Sequence, residues 1–223
     1  MYGPCLMYAI RPPEYFPGLP FWALMLRCER IVLADGFQYS RQTFQNRARI
    51  RNPTGWQWIT VPLKRGRHGR TIRDVEIDNT VPWRGKHFRS LSFNYRTTPY
   101  FEFYEDRFAG LYEQDWPHLG PLTVASVRLV ARLMSLDAPE VLSERDEEAE
   151  PPAASELLLE SDPPDLLGTR LRFNEPEYHQ NFEGFEPGMS ILDLLFNHGP
   201  DTKSLIAGGI IHPPDPRNNG SPS

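Results

Sequence analysis

The sequence predicts an α/β protein: a small mixed sheet with an N-terminal βαβ-like unit and several packed helices. Three observations carry this. Strand, loop, helix and strand patterns follow one another over residues 6–34, the spacing of a βαβ unit with parallel strands. Two alternating runs, 48–51 and 56–61, flank Pro53-Thr54-Gly55 as a hairpin does. Helical periodicity then dominates residues 82–136.

In chain order, residues 6–10 form the first strand. Residues 11–20 hold four prolines and must run as an extended, turning loop. Residues 20–28 are helical, with Pro20 tolerated in the first turn. Residues 31–34 are the second strand. In such a unit the ligand lies beyond the carboxyl ends of the strands, which puts Arg11, Tyr15, Asp35 and the Asn46-Arg47 region on one rim. Between residues 34 and 56 the chain is dense in Arg, Asn and Gln, the side chains that fix an anion or a sugar edge. The alternative is a loop whose arginines pair with nearby acids.

Residues 64–70 carry five basic side chains, counting His68, with two glycines. They read as a solvated hairpin tip or as a phosphate clamp through Lys64. Residues 71–77 are expected as a strand. Residues 82–96 are a helix with Trp83, His87, Leu91 and Tyr95 on one stripe. A histidine there is either a packed core residue or, because imidazole titrates near neutrality, a base. Residues 99–112 form an aromatic-rich helix and residues 121–136 an amphipathic one. Residues 171–173 are a late strand. Ser190 and Asp193 form a capping box for a helix that Gly199 ends.

Composition sets the organisation. Residues 1–97 hold 16 Lys/Arg against 6 Asp/Glu, and residues 98–223 hold 8 against 23. The first part can attract an anionic ligand. The basic residues are not gathered on a helix and no nucleic-acid-binding motif occurs, so nucleic acid is excluded as partner. Residues 137–169 read as an acidic, Pro-rich, disordered linker and residues 209–223 as a flexible tail. Residues 1–136 with 170–208 make one domain. Cys5 and Cys28 have no metal-ligand spacing and read as reduced thiols of a cytoplasmic protein. Neither a membrane span nor a signal peptide is expected. Neither a Walker-type loop nor G-x-G-x-x-G occurs, and no cofactor or metal is implied.

Several separated motifs add a resemblance. Pro13-x-Tyr15-Phe16-Pro17, Ala34-Asp35, Gln38-Tyr39, Gln45-Asn46-Arg47-x-Arg49-Ile50 and Gly55-x-x-x-x-Thr60-Val61-Pro62-Leu63-Lys64 come first. Trp83-x-x-Lys86-His87, Tyr95, Pro99-Tyr100-Phe101, Pro176-x-Tyr178-x-Gln180 and Ser190-Ile191-x-Asp193-Leu194-Leu195-x-Asn197-x-Gly199 follow. In that order, over residues 6–136 and 170–206, they resemble the WbqC-like family. The resemblance implies a place in bacterial O-antigen or other surface-polysaccharide biosynthesis. It also implies transfer of an amino-acid or acyl group onto an amino sugar or sugar nucleotide.

The expected partner is accordingly a small anionic substrate, a sugar nucleotide or an activated acyl donor. Such a transfer needs a base for the amine proton and donors for the anion. The expected catalytic residues are His87 as base, oriented by Asp35 or Asp193. Arg11, Tyr15, Tyr39, Asn46, Arg47, Arg49, Lys64 and Gln180 are the expected substrate contacts. Three departures from the family stand out: Arg11-Pro12-Pro13 replaces a Gln-Pro or His-Gln-Pro opening, Glu175 replaces a His, and the acidic stretch replaces an ordered segment. They leave a second reading, a sugar-nucleotide or anion-binding module without chemistry.

Overall fold

A computed structural model describes residues 7–141, 155–159, 162 and 169–211. The first strand, β1 (Met7–Arg11), leads through the Pro-rich loop into α1 (Leu19–Arg27) and back to β2 (Arg30–Leu33), which lies parallel to β1 with Ala9 opposite Ile31. This is the expected βαβ unit. Helix α1 buries Leu19, Phe21, Trp22, Ala23, Leu24 and Met25, nearly its whole circumference, because it packs against the sheet and against a helix late in the chain, residues 202–208. Ile31, Val32 and Leu33 are all buried, as a strand covered on both faces requires.

The mixed sheet is larger than expected. Its order is β5-β2-β1-β6-β7-β8, where β5 is Glu140–Val141, β6 is Ser155–Leu159, β7 is Thr169–Phe173 and β8 is Ile210–Ile211. All neighbours are parallel except β7 and β8. The interval 137–169, expected as a linker, thus supplies β5 and β6, and β6 inserts beside β1 near the middle of the sheet. Leu158 and Leu159 are buried there, and that burial offsets the ordering cost of an otherwise acidic stretch. Residues 210–211, expected to fray, pair with β7. Residues 142–154 and most of 160–168 lie outside the described residues, as do Cys5 and residues 212–223. Cys28 is a free thiol.

The hairpin β3 (Arg47–Asn52) and β4 (Gly55–Thr60) stands apart from the main sheet. Ala48, Ile50 and Ile59 face the core, and the register sets Arg49 opposite Trp58 and Arg51 opposite Trp56 on the other face. Residues 71–77 do not form a strand. A 3₁₀ turn, Ile72–Asp74, puts Ile72 and Val75 on the same side, and both are buried. Apolar residues three apart suit that turn, whereas a strand would send them to opposite faces.

Three helices, α2 (Trp83–Tyr95), α3 (Phe101–Glu113) and α4 (Leu119–Leu133), follow as expected. Gly120 is required at the start of α4, where an added Cβ would stand 2.7 Å from the Arg73 Cα. The last helices are α5 (Ile191–His198) and α6 (Thr202–Gly208). The Ser190 hydroxyl makes no cap bond. It is buried without a hydrogen-bond partner among the described residues, and the Asp193 side chain turns inward instead of closing a capping box. No helix of the described residues is long and apolar enough to cross a membrane.

Candidate active site

From β1 the chain moves one way across the sheet, to β2 and then β5, whereas β6 and β7 lie on the other side of β1. The direction therefore reverses between β1 and β6. In open α/β sheets the crevice beyond the carboxyl ends of the strands at such a reversal is where ligands bind. Here those ends are Arg11 and Leu159. They line a cavity of about 200 Å³ with Glu14, Gly18, Pro20, Phe21 and Phe44.

Arg11 spans the reversal. Its Nη1 donates to both carboxylate oxygens of Asp162 at 2.7 and 2.6 Å, and Asp162 in turn accepts the Leu159 backbone N–H at 2.7 Å. Arg170 Nη1 donates to the Leu159 and Asp162 carbonyls at 2.9 and 3.0 Å. Glu14 follows two prolines that hold the chain extended away from β1. Its carboxylate has no hydrogen-bond partner among the described residues. Burial raises its pKa to about 7 against the opposing pull of Arg11, with Asp162 adding to the rise. Phe16, two residues on, has φ 48°, which a bulky residue adopts only when its surroundings impose it. The Ser126 hydroxyl on α4 accepts the Phe16 N–H at 3.3 Å, and the Phe16 ring packs 5.7 Å from Phe108.

Tyr15, next to Glu14, points the other way and is fully buried. Its hydroxyl lies 3.0 Å from His87 Nδ1 and 2.5 Å from the Tyr112 hydroxyl. His87 Nε2 lies 3.1 Å from the Thr60 carbonyl. A carbonyl only accepts, so Nε2 carries the proton and Nδ1 accepts from Tyr15. Tyr15 then accepts from Tyr112. Trp83, Tyr15 and Tyr112 ring the imidazole at 5.2–6.1 Å. Burial drives the His87 pKa down to about 4, partly countered by Thr60. Both ring nitrogens are engaged, and neither Asp35 nor Asp193 orients this ring.

Those two acids sit in separate networks. Asp35, just past β2, takes the Arg73 guanidinium at 3.1 and 3.3 Å. Asp193 is fully buried and accepts the Tyr95 and Tyr178 hydroxyls, each at 2.9 Å. Burial raises its pKa to about 6, the tyrosine hydrogen bonds and the Arg51 charge opposing.

The expected substrate contacts divide likewise. Tyr39 donates to Asn46 at 3.0 Å, and Asn46 donates to the Val61 carbonyl at 3.0 Å, bracing the loop. Gln180 bonds both ways to the Glu186 backbone, at 3.0 and 2.9 Å. Lys64 is exposed and pairs with Glu76 at 2.8 Å. Arg47 and Arg49 lie over the Trp58 and Trp56 rings at 4.0 and 3.8 Å, and Arg47 also donates to the Gln42 carbonyl. Phe44 connects this ladder to the crevice. Its ring meets Trp58 edge-on at 5.4 Å, it lines the cavity, and its carbonyl accepts the Tyr15 N–H at 2.8 Å. Arg11 thus lines the crevice and the Arg47–Trp58 stack reaches it only through Phe44, whereas the other candidates are held in contacts of their own.

Glu14, Phe44 and Asp162 escape a reading of the sequence. Glu14 could have been found from its place among prolines at the end of a predicted strand. Asp162 could not, because the strand before it is hidden in an acidic stretch.

The WbqC-like protein family matches residues 12–162 and 165–205. The chain is also 29% identical over 223 residues to the uncharacterized protein Rv1507c of Mycobacterium tuberculosis, covering 89% of this chain and 96% of that protein. No solved structure matches.

Proposed function

Since the chain belongs to the WbqC-like protein family, we propose that it transfers an amino-acid or acyl group onto the amine of an amino sugar or sugar nucleotide in surface-polysaccharide biosynthesis. The observation that carries this reading is Glu14: a carboxyl without a hydrogen-bond partner among the described residues, raised to about 7, lining the cavity where the strand order reverses. A carboxylate of that basicity is matched to taking a proton from an amine near neutral pH.

In the proposed step the amine nitrogen attacks the carbonyl carbon of an activated acyl donor. The C–N bond forms, the bond to the leaving group breaks, and the leaving group departs with the electron pair. The amine proton goes to Glu14. Arg11, released from Asp162, and Arg47 and Arg49 on the hairpin hold the anionic part of the substrate. His87 acts as a positioning residue, holding Tyr15 and so the turn that carries Glu14. Tyr39, Asn46 and Gln180 brace the surrounding loops, while Asp35 and Asp193 anchor Arg73 and the tyrosine pair.

The test is single-turnover transfer from activated acyl donors to nucleotide-linked amino sugars. Glu14→Gln is expected to lower the rate by roughly 10²–10⁴-fold, the usual contribution of a general base. It should also remove the acid limb of the pH–rate profile near 7. An unchanged rate and profile would refute the assignment. A second reading, a sugar-nucleotide-binding module without chemistry, draws on the closure of Arg11 onto Asp162. It predicts saturable sugar-nucleotide binding that Arg47→Ala weakens, with no product from any donor.

A further inference from the structure

Helices α3 and α4 line a groove of about 550 Å³, the size of a small-molecule site, that shares no lining residue with the crevice. Residues 125, 128, 129 and 132 of α4 line it at helical spacing, while Ser126, Val127 and Val130 of the same helix are buried. Three guanidinium groups, Arg107 from α3 and Arg128 and Arg132 from α4, face one acid, Asp106. The side chains of Arg107 and Arg132 have neither an ion pair nor a hydrogen bond among the described residues. Arg128 donates to the Pro139 carbonyl at 3.4 Å, which sets its position at the edge of the groove. The floor is aliphatic, with Leu111, Val124 and Leu129, and among the described residues no aromatic ring lines it. Gly110 leaves the wall open, since a Cβ built there meets nothing within 4 Å.

We infer that this groove binds a small amphipathic anion: a phosphate or pyrophosphate ester carrying an aliphatic body. Clustered guanidinium forks are the protein groups that match phosphate oxygens. A floor without rings gives a nucleobase nothing to stack on, whereas an alkyl chain can bury against Leu111, Val124 and Leu129. The site is independent of the Glu14 crevice and of the transfer proposed there.

Hexyl phosphate and inorganic pyrophosphate are the probes, titrated into the full chain by calorimetry at low and at physiological salt. Hexyl phosphate is expected to bind saturably, more tightly than pyrophosphate, and more weakly as salt rises. The double variant Arg107→Gln/Arg132→Gln should lose at least tenfold in affinity. Gly110→Leu replaces a poor helix former with a good one and puts a side chain into open groove, so it should keep or raise thermal stability and still lose binding. Glu14→Gln should bind as the native chain does. Absence of saturable binding, pyrophosphate binding as tightly as hexyl phosphate, or variants of the groove that bind unchanged would each overturn the inference. Loss of binding in Glu14→Gln alone would overturn it too, by assigning the probe to the crevice.

Discussion

Glu14 and Tyr15 are neighbours in the chain, yet their side chains belong to two opposed regions. Tyr15 joins His87, Tyr112 and the Thr60 carbonyl in a row where each hydrogen-bonding group has its partner. Glu14 lines a cavity, its carboxyl uncompensated by any hydrogen bond from a described residue. Both regions are desolvated, and desolvation moves both ionisable groups toward their neutral forms. In the first region the neutral form is complete and nothing remains to react. In the second, the neutral and ionised forms are close to balance at physiological pH, which is what proton transfer needs. Burial alone therefore does not distinguish a framework residue from a reactive one; the state of its partners does.

The widest test of this contrast is His87→Ala. It should lower stability by about 3 kcal/mol, because it leaves a cavity and strips the Tyr15 hydroxyl and Thr60 carbonyl of a partner. Denaturant midpoints measure this. A variant of native stability that cannot turn over substrate would move His87 to the reactive side.

Next is the dependence of stability on pH. Glu14 has its folded pKa raised to about 7 from an ordinary 4.5, so its contribution is fully present below 4.5 and is lost as pH rises through 7. Asp193 acts in the same sense between 3.8 and about 6. His87, lowered from 6.5 to about 4, acts in the opposite sense and loses its contribution as pH falls through 4. Glu14→Gln should therefore be more stable than the native chain at pH 8 by roughly 1–2 kcal/mol, discounted because Glu14 is only half-buried, and equal to it below pH 4.5. Melting curves across that range would show a constant difference if Glu14 titrated normally.

Arg47→Ala sharpens the contrast at the rim. Sugar-nucleotide affinity should fall about tenfold, the scale of one charge-assisted contact, while folding changes little. The smallest effect belongs to Lys64→Ala, which removes an exposed, solvent-screened pair with Glu76 and should leave the melting temperature unchanged within error.

Much of the fold is legible in local pattern. The unit from β1 to β2, the hairpin at Pro53-Thr54-Gly55 and helices α2 to α4 each announce themselves by spacing and turn residues within a few positions. β6 does not, because its apolar run is short and set among acids, and only pairing with β1 makes it a strand. Ile72 and Val75 suggest a strand by composition, yet their spacing of three suits a tight turn. Among the candidate residues, Arg11 lines the crevice at the end of β1, while Arg47 stacks on Trp58 outside its lining. For His87 the sequence leaves core and catalysis open, since a stripe on a helix does not show what faces it.

By itself the sequence determined which segments become helices and strands, the parallel pairing of the first two strands, and the polar character of the region after them. Those follow from periodicity and backbone preference, which act over a few residues. The tertiary structure alone decided where the sheet reverses and which polar side chains end with partners. Arg11 meets Asp162 across 151 positions, Tyr95 meets Asp193 across 98 and Tyr15 meets His87 across 72. Desolvation and hydrogen bonding are properties of such distant meetings, so the raised pKa of Glu14 exists only once the chain has closed.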